Sequence, residues 1–167
     1  MISKQVLIND KRFYLDEFNI DRLLKNNITD YQITNIKLGK IKRFFDNKIS
    51  DMEEMQAYKY CNDKEKYEEE YINYCEVICK DKGNSNRTKE EFDKLIDNIN
   101  ENGYDPEKGI IVIDQFNFIQ EGQHRVCVLL NKYGKDYEIK VLKIHIMDYG
   151  IKTYLKVFLY KLKGLFI

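Results

Sequence analysis

The chain is short of histidine, nearly without proline and has no surplus of charge. Twenty-eight lysines and arginines balance twenty-eight aspartates and glutamates over 167 residues, so no global positive field argues for general nucleic-acid binding. Met1 to Asp10 lacks the long apolar core of a secretory signal, which makes a reducing cytoplasm the expected compartment. Four cysteines are present. Cys75 and Cys79 would share a helix face, but no Cys or His pair elsewhere completes a metal site, and the cysteines read as small packed residues. The one proline is Pro106, and the two histidines are His124 and His145. His145 falls in a run that reads as a buried strand, which gives it a structural role. What is present suits a globular protein: 43% hydrophobic and 34% charged residues, enough chain for one domain, 1–167, with a real core.

In chain order, Val6 to Ile8 and Phe13 to Leu15 flank a polar break and read as a hairpin. Asp16 to Asn27 reads as a helix and Tyr31 to Ile41 as a strand. Gly39, Lys40, Lys42 and Arg43 follow, as a solvated loop or the lining of a phosphate pocket. Ser50 with Glu53 gives a capping box at a helix start, with Met52, Met55 and Tyr58 supplying apolar contacts. A second helix is predicted over Asp63 to Lys80, with Tyr67, Tyr71, Tyr74, Cys75 and Ile78 as its packed stripe and Glu68 to Glu70 on the opposite face. The acidic face argues against nucleic-acid stacking by those tyrosines. Lys82 to Arg87 is a linker. Thr88 and Glu91 repeat the capping box ahead of Phe92, Leu95, Ile96 and Ile99, and Gly103 ends that helix.

Strands are then expected at Ile110 to Ile113, Phe116 to Ile119 and Tyr137 to Ile146, with a helix from His124 to Gly134. In the last strand Ile139 and Val141 occupy one phase of the two-residue alternation, and Leu142, Ile144 and Ile146 the other. Burial of both faces, or a bulge, accounts for that. The element order is α+β with a mixed sheet.

The polar residues converge on Glu121-Gly-Gln-His-Arg125. A strand ends, the chain turns at Gly122, and a helix begins. The first-turn N–H groups of a helix attract anions, and glycine leaves no side chain in their way. Arg125 can grip a phosphate bidentately. Alternatively, Glu121 only caps the helix and pairs with Arg125.

From Thr88 to Ile146, about a third of the chain, the succession of helix, Asn102-Gly-Tyr104, Ile110 to Ile113, Glu121 to Arg125, Gly134 and Ile139 to Val141 resembles the ParB/sulfiredoxin superfamily. The turn resembles its Asp-Gly-(His or Gln)-His-Arg signature, with Glu121 in place of Asp. The resemblance implies a ParB/sulfiredoxin-like mixed sheet flanked by helices, with residues 47–86 as a helical insertion. Sulfiredoxins place their catalytic cysteine where this chain has Gln123, so sulfinic-acid reduction is not expected, and Cys127 reads as packed. Partition proteins continue into a DNA-reading domain, for which too little chain follows Ile146.

What the resemblance leaves is a nucleotide-dependent phosphotransferase acting on a small hydroxyl compound, a free amino acid or a glycan precursor. Glu121 and His124 would be catalytic, and Gly122, Gln123, His124 and Arg125 would bind phosphate. ATP or another nucleotide would be the donor, with Mg²⁺ held in part by Glu121. The alternatives are a non-catalytic nucleotide-binding switch or interaction module and, third, a DNA-associated regulatory factor. The segment 151–167 reads as an amphipathic helix with Ile151, Tyr154, Leu155, Phe158, Leu162 and Phe166 on one side and Lys152, Lys156 and Lys163 beside them. It is too short and too charged to span a bilayer. It would either dock on the core or lie on the inner face of an anionic membrane.

Overall fold

A computed structural model describes residues 3–8, 11–16, 28–82, 88–147 and 149–165. Strands β1 (Ser3–Ile8) and β2 (Lys11–Asp16) pair antiparallel, Val6 opposite Phe13, as the expected hairpin. Of the helix expected over Asp16 to Asn27, Asp16 belongs to β2 and the rest lies outside the described residues, as does the linker beyond Lys82.

The main sheet contains β3 (Ile28–Lys37), β6 (Ile111–Ile113), β7 (Ile119–Glu121) and β8 (Glu138–Ile146), in the order β3-β8-β6-β7. β8 runs antiparallel to β3 and parallel to β6, and β6 is antiparallel to β7. The sheet is therefore mixed and the fold α+β. Among the described residues the α-helices are α1 (Gln56–Asn62), α2 (Lys64–Lys82), α3 (Lys89–Asn102), α4 (Gln123–Tyr133) and α5 (Ile151–Leu165).

Both phases of β8 are buried. Ile139 and Val141 join Ile111 and Ile113 in the core beneath the helices, while Leu142, Ile144 and Ile146 pack with Ile110 and Val112 in a second cluster. Two-sided burial, not a bulge, explains the alternation in β8. His145 is exposed, which corrects its placement in a buried strand: it falls in the same phase as Lys143, away from Ile144 and Ile146.

Several boundaries differ from the sequence reading, each for a local reason. The strand expected to run to Ile41 ends at Lys37, where Leu38–Lys40 form a 3-10 turn. The expected loop after it is a hairpin of β4 (Lys42–Phe45) and β5 (Lys48–Asp51), turning on Asp46 and Asn47 at φ 47° and 59°. Two consecutive positive φ values suit the twist of a two-residue hairpin, and Asp and Asn tolerate them. This occupies Ser50 in β5, so the capping box shifts to Asp51 and Glu54, and the helix it opens is a 3-10 turn, Met52–Glu54, ahead of α1. The strand expected at Phe116 to Ile119 starts at Ile119, because Asn117 adopts φ 67° and buried Asp114 accepts the N–H groups of Phe116 and Phe118 at 2.8 and 2.9 Å. Burial pushes the Asp114 carboxyl up, against the hydrogen bonds of Tyr149, the two N–H groups and Gln120.

Residues 52–75 share the core. Met52, Met55, Ala57, Tyr60, Tyr71 and Cys75 cluster with Phe92 of α3 and Val126 to Leu130 of α4. Tyr60 and Tyr71 stack at 4.9 Å, and Tyr60 Oη donates to Asp93 at 2.9 Å. Thr88 caps α3 by accepting the Glu91 N–H at 3.3 Å, and Gly103 ends it at φ 76°. Lys132 of α4 donates to the Ile99 and Asn100 carbonyls, both at 2.9 Å, where the last turn of α3 carries partial negative charge.

Candidate active site

β7 and α4 meet at Gly122, the N-cap of α4, in the left-handed conformation at φ 86°. Glycine is required there twice over. Positive φ disfavours a side chain, and a Cβ would sit 2.9 Å from Ile111 Cγ1 and 3.2 Å from Arg125 Nη1. The first intrahelical bond runs from the Val126 N–H to the Gly122 carbonyl at 3.0 Å. The N–H groups of Gln123, His124 and Arg125 therefore precede the helix's own bonding ladder. The N-cap glycine brings no capping side chain of its own, and the first turn carries no acid.

Arg125 holds the turn. Its Nη1 donates to the carbonyls of Gly109 at 2.7 Å and Ile110 at 3.0 Å, which lead into β6, and its Nη2 lies 3.3 Å from Glu121 Oε1. The Glu121 and Arg125 side chains are 10% and 21% exposed. A Cβ on Gly109 would come within 3.1 Å of the guanidinium carbon. Two glycines thus let the backbone close on Arg125 from both sides. Tyr104 completes this end of the sheet: its hydroxyl accepts the Ile111 N–H at 3.0 Å and donates to the Lys140 carbonyl at 3.1 Å. Burial pushes that hydroxyl up to about 12, against the Ile111 N–H and the nearby Arg125 charge.

His124 is turned elsewhere. Consecutive helix residues point about 100° apart, and the His124 ring lies 4.9 Å from Phe92 and, edge-on, 6.3 Å from Tyr71. The fold therefore brings Glu121, Gly122 and Arg125 together, with half-buried Gln123 at the first helical position, and sends His124 toward the aromatic rings of α2 and α3.

Among the other residues considered, Lys42 is bonded to Asp51 at 2.5 Å and the Arg43 guanidinium stands 4.5 Å over the Phe45 ring. Cys127 is fully buried, with its thiol driven upward by desolvation. Cys61 is likewise pushed up to about 12 by burial. Neither is poised as a thiolate nucleophile. No group of three or more His, Cys, Asp or Glu among the described residues is arranged to hold a metal ion, and Glu121 faces a guanidinium.

Gly109 and Tyr104 were not among the predicted site residues. Tyr104 lay within the quoted Asn-Gly-Tyr run, yet its role depends on contacts with residues 7 and 36 positions away that no local pattern records. No protein-family model, curated protein or solved structure matches the chain.

Proposed function

We propose that the Gly122 turn binds the phosphates of a nucleotide in a ParB/sulfiredoxin-like domain, and that the protein transfers the terminal phosphoryl group to a small hydroxyl compound, an amino acid or a glycan precursor. The observation that carries this reading is the left-handed glycine N-cap of α4, with no acid in the first turn and an arginine guanidinium beside it. The two halves of that guanidinium are unequal. Nη1 is committed to two carbonyls, whereas Nη2 meets Glu121 at 3.3 Å, longer than the 2.7–2.9 Å of a strong charge-assisted bond. A phosphate oxygen competes for Nη2 and releases the Glu121 carboxylate.

Glu121 then takes the proton of the acceptor hydroxyl as its oxygen attacks the terminal phosphorus. The bond to the bridging oxygen breaks with its electron pair, leaving a nucleoside diphosphate and a phosphate ester. Positioning and charge neutralisation supply most of such a step. The packing of His124 against Phe92 supports a positioning role for it, fixing α4 against α3, in place of proton transfer.

A second reading, a non-catalytic nucleotide-binding module, is favoured by the same Arg125 bonds, which commit half of the guanidinium to the chain's own carbonyls. A thermal-shift screen of nucleotides with Mg²⁺ tests both, since a ligand of the folded state raises Tm by mass action. A shift with wild type, a reduced one with Arg125→Lys, and phosphorylation of a pool of small hydroxyl compounds support the enzyme. A shift without transfer supports the module, and no shift with any nucleotide removes both.

A further inference from the structure

Helix α5 is mounted with its apolar side outward. At 100° per residue, Ile151, Tyr154, Leu155, Phe158 and Leu162 fall on one side, with Leu159 at its margin. Ile151 is 85% exposed, and Leu155 and Phe158 are each 58% exposed. The opposite side contributes Val157, 5% exposed. The helix is tied down by its start and by one lysine: Tyr154 meets the Phe116 ring edge-on at 5.1 Å, and Lys156 Nζ donates to the Asn47 carbonyl at 3.3 Å. That last bond sets the tip of the β4–β5 hairpin beside α5, and the same hairpin carries Phe45, 58% exposed, under the Arg43 guanidinium.

The charges on the helix itself are of one sign. Lys152 and Lys156 fall on one flank of the apolar side and Lys161 on the other, and the helix contains no acid. An outward apolar strip bordered on both flanks by long cationic side chains is the pattern of a helix lying in the headgroup region, its lysines reaching lipid phosphates while the strip enters the acyl boundary. No helix among the described residues is long and apolar enough to cross a membrane, so the contact is in the plane. A second copy of the chain fits less well. A two-fold pairing of this face on itself sets lysine against lysine, with no acid in the helix to meet them.

We propose that α5 is a membrane-surface docking element selective for anionic lipid, which would hold the domain at a bilayer whatever its chemistry. The test is co-sedimentation of the full chain with vesicles of phosphatidylcholine alone and with a third phosphatidylglycerol. The proposal expects binding to the anionic vesicles only. Leu155→Glu/Phe158→Glu changes exposed residues and should abolish binding with Tm unchanged. Lys152→Gln/Lys161→Gln should weaken it on the order of thirtyfold, as expected for two lysines near a charged surface. Three results overturn the proposal: no sedimentation with either vesicle, equal binding to both, or binding untouched by Leu155→Glu/Phe158→Glu. A dimer in sedimentation velocity that this double variant converts to monomer, without vesicle binding, assigns the face to a second copy instead.

Discussion

Helices α4 and α5 are both amphipathic, and the fold uses them in opposite senses. In α4 the run Val126 to Leu130 is buried throughout and the polar first turn stands at the rim of the sheet. In α5 Val157 is buried and the larger apolar residues face outward. Amphipathicity reports that two sides differ, not which one meets the core. That sign is set by partners: α4 is enclosed by β6, α1 and α3, whereas α5 touches the rest through a few aromatic and lysine contacts at its start.

The contrast predicts unequal costs of substitution, measurable by urea unfolding. Leu129→Ala should be the most damaging, about 3–5 kcal/mol, because a fully buried leucine leaves a cavity in a core shared by the sheet and the helices. Leu155→Ala should stay within about 0.5 kcal/mol. A comparable loss at both positions would mean that α5 packs as α4 does.

The glycines before the two helices give a second comparison. Gly122→Ala forces a side chain into positive φ and against Ile111, and should cost about 1–3 kcal/mol. An added Cβ at Gly150 meets nothing within 4 Å, so Gly150→Ala should be close to neutral. Tyr104→Phe leaves the Ile111 N–H and the Lys140 carbonyl without their shared partner, at about 1–3 kcal/mol.

The smallest effect is a pH dependence. Burial raises the Asp93 carboxyl, but bonds from Lys64, Lys89 and Tyr60 outweigh it and hold the group below its ordinary value. A depressed carboxylate stabilises the fold above its unfolded value and loses that contribution as pH falls through the folded one. Asp93→Asn should therefore flatten the acid limb of the stability profile below about pH 4. Asp114, raised by burial, has the opposite sign: its contribution is complete below its unfolded value and falls as pH rises through the folded one.

Much of the fold was legible where a backbone requirement has a residue signature. Thr88 with Glu91, and Gly103, Gly122 and Gly134 at positive φ, mark helix ends that the chain observes. The two apolar phases of β8 left burial on both faces or a bulge open, and the strand takes the first. The β4–β5 hairpin was missed although Asp46-Asn47 between Phe44-Phe45 and Ile49 carried a turn signal, because the neighbouring lysines read as loop. At the site, the residue types at the turn were readable, and pairing of Glu121 with Arg125 was one of the two readings offered. The clamp of Gly109 and Tyr104 around Arg125 was not, since it is assembled from separate elements. Nor was the divergence of His124, which depends on where Phe92 and Tyr71 pack.

The most direct test of the account is phosphoryl transfer from a nucleoside triphosphate to a pool of small hydroxyl compounds, compared between wild type and Glu121→Gln. Wild type should yield nucleoside diphosphate and a phosphate ester, and Glu121→Gln should retain the nucleotide-dependent rise in Tm while losing transfer by roughly a hundredfold or more. Wild-type protein whose Tm no nucleotide raises, and which produces no ester, would contradict it.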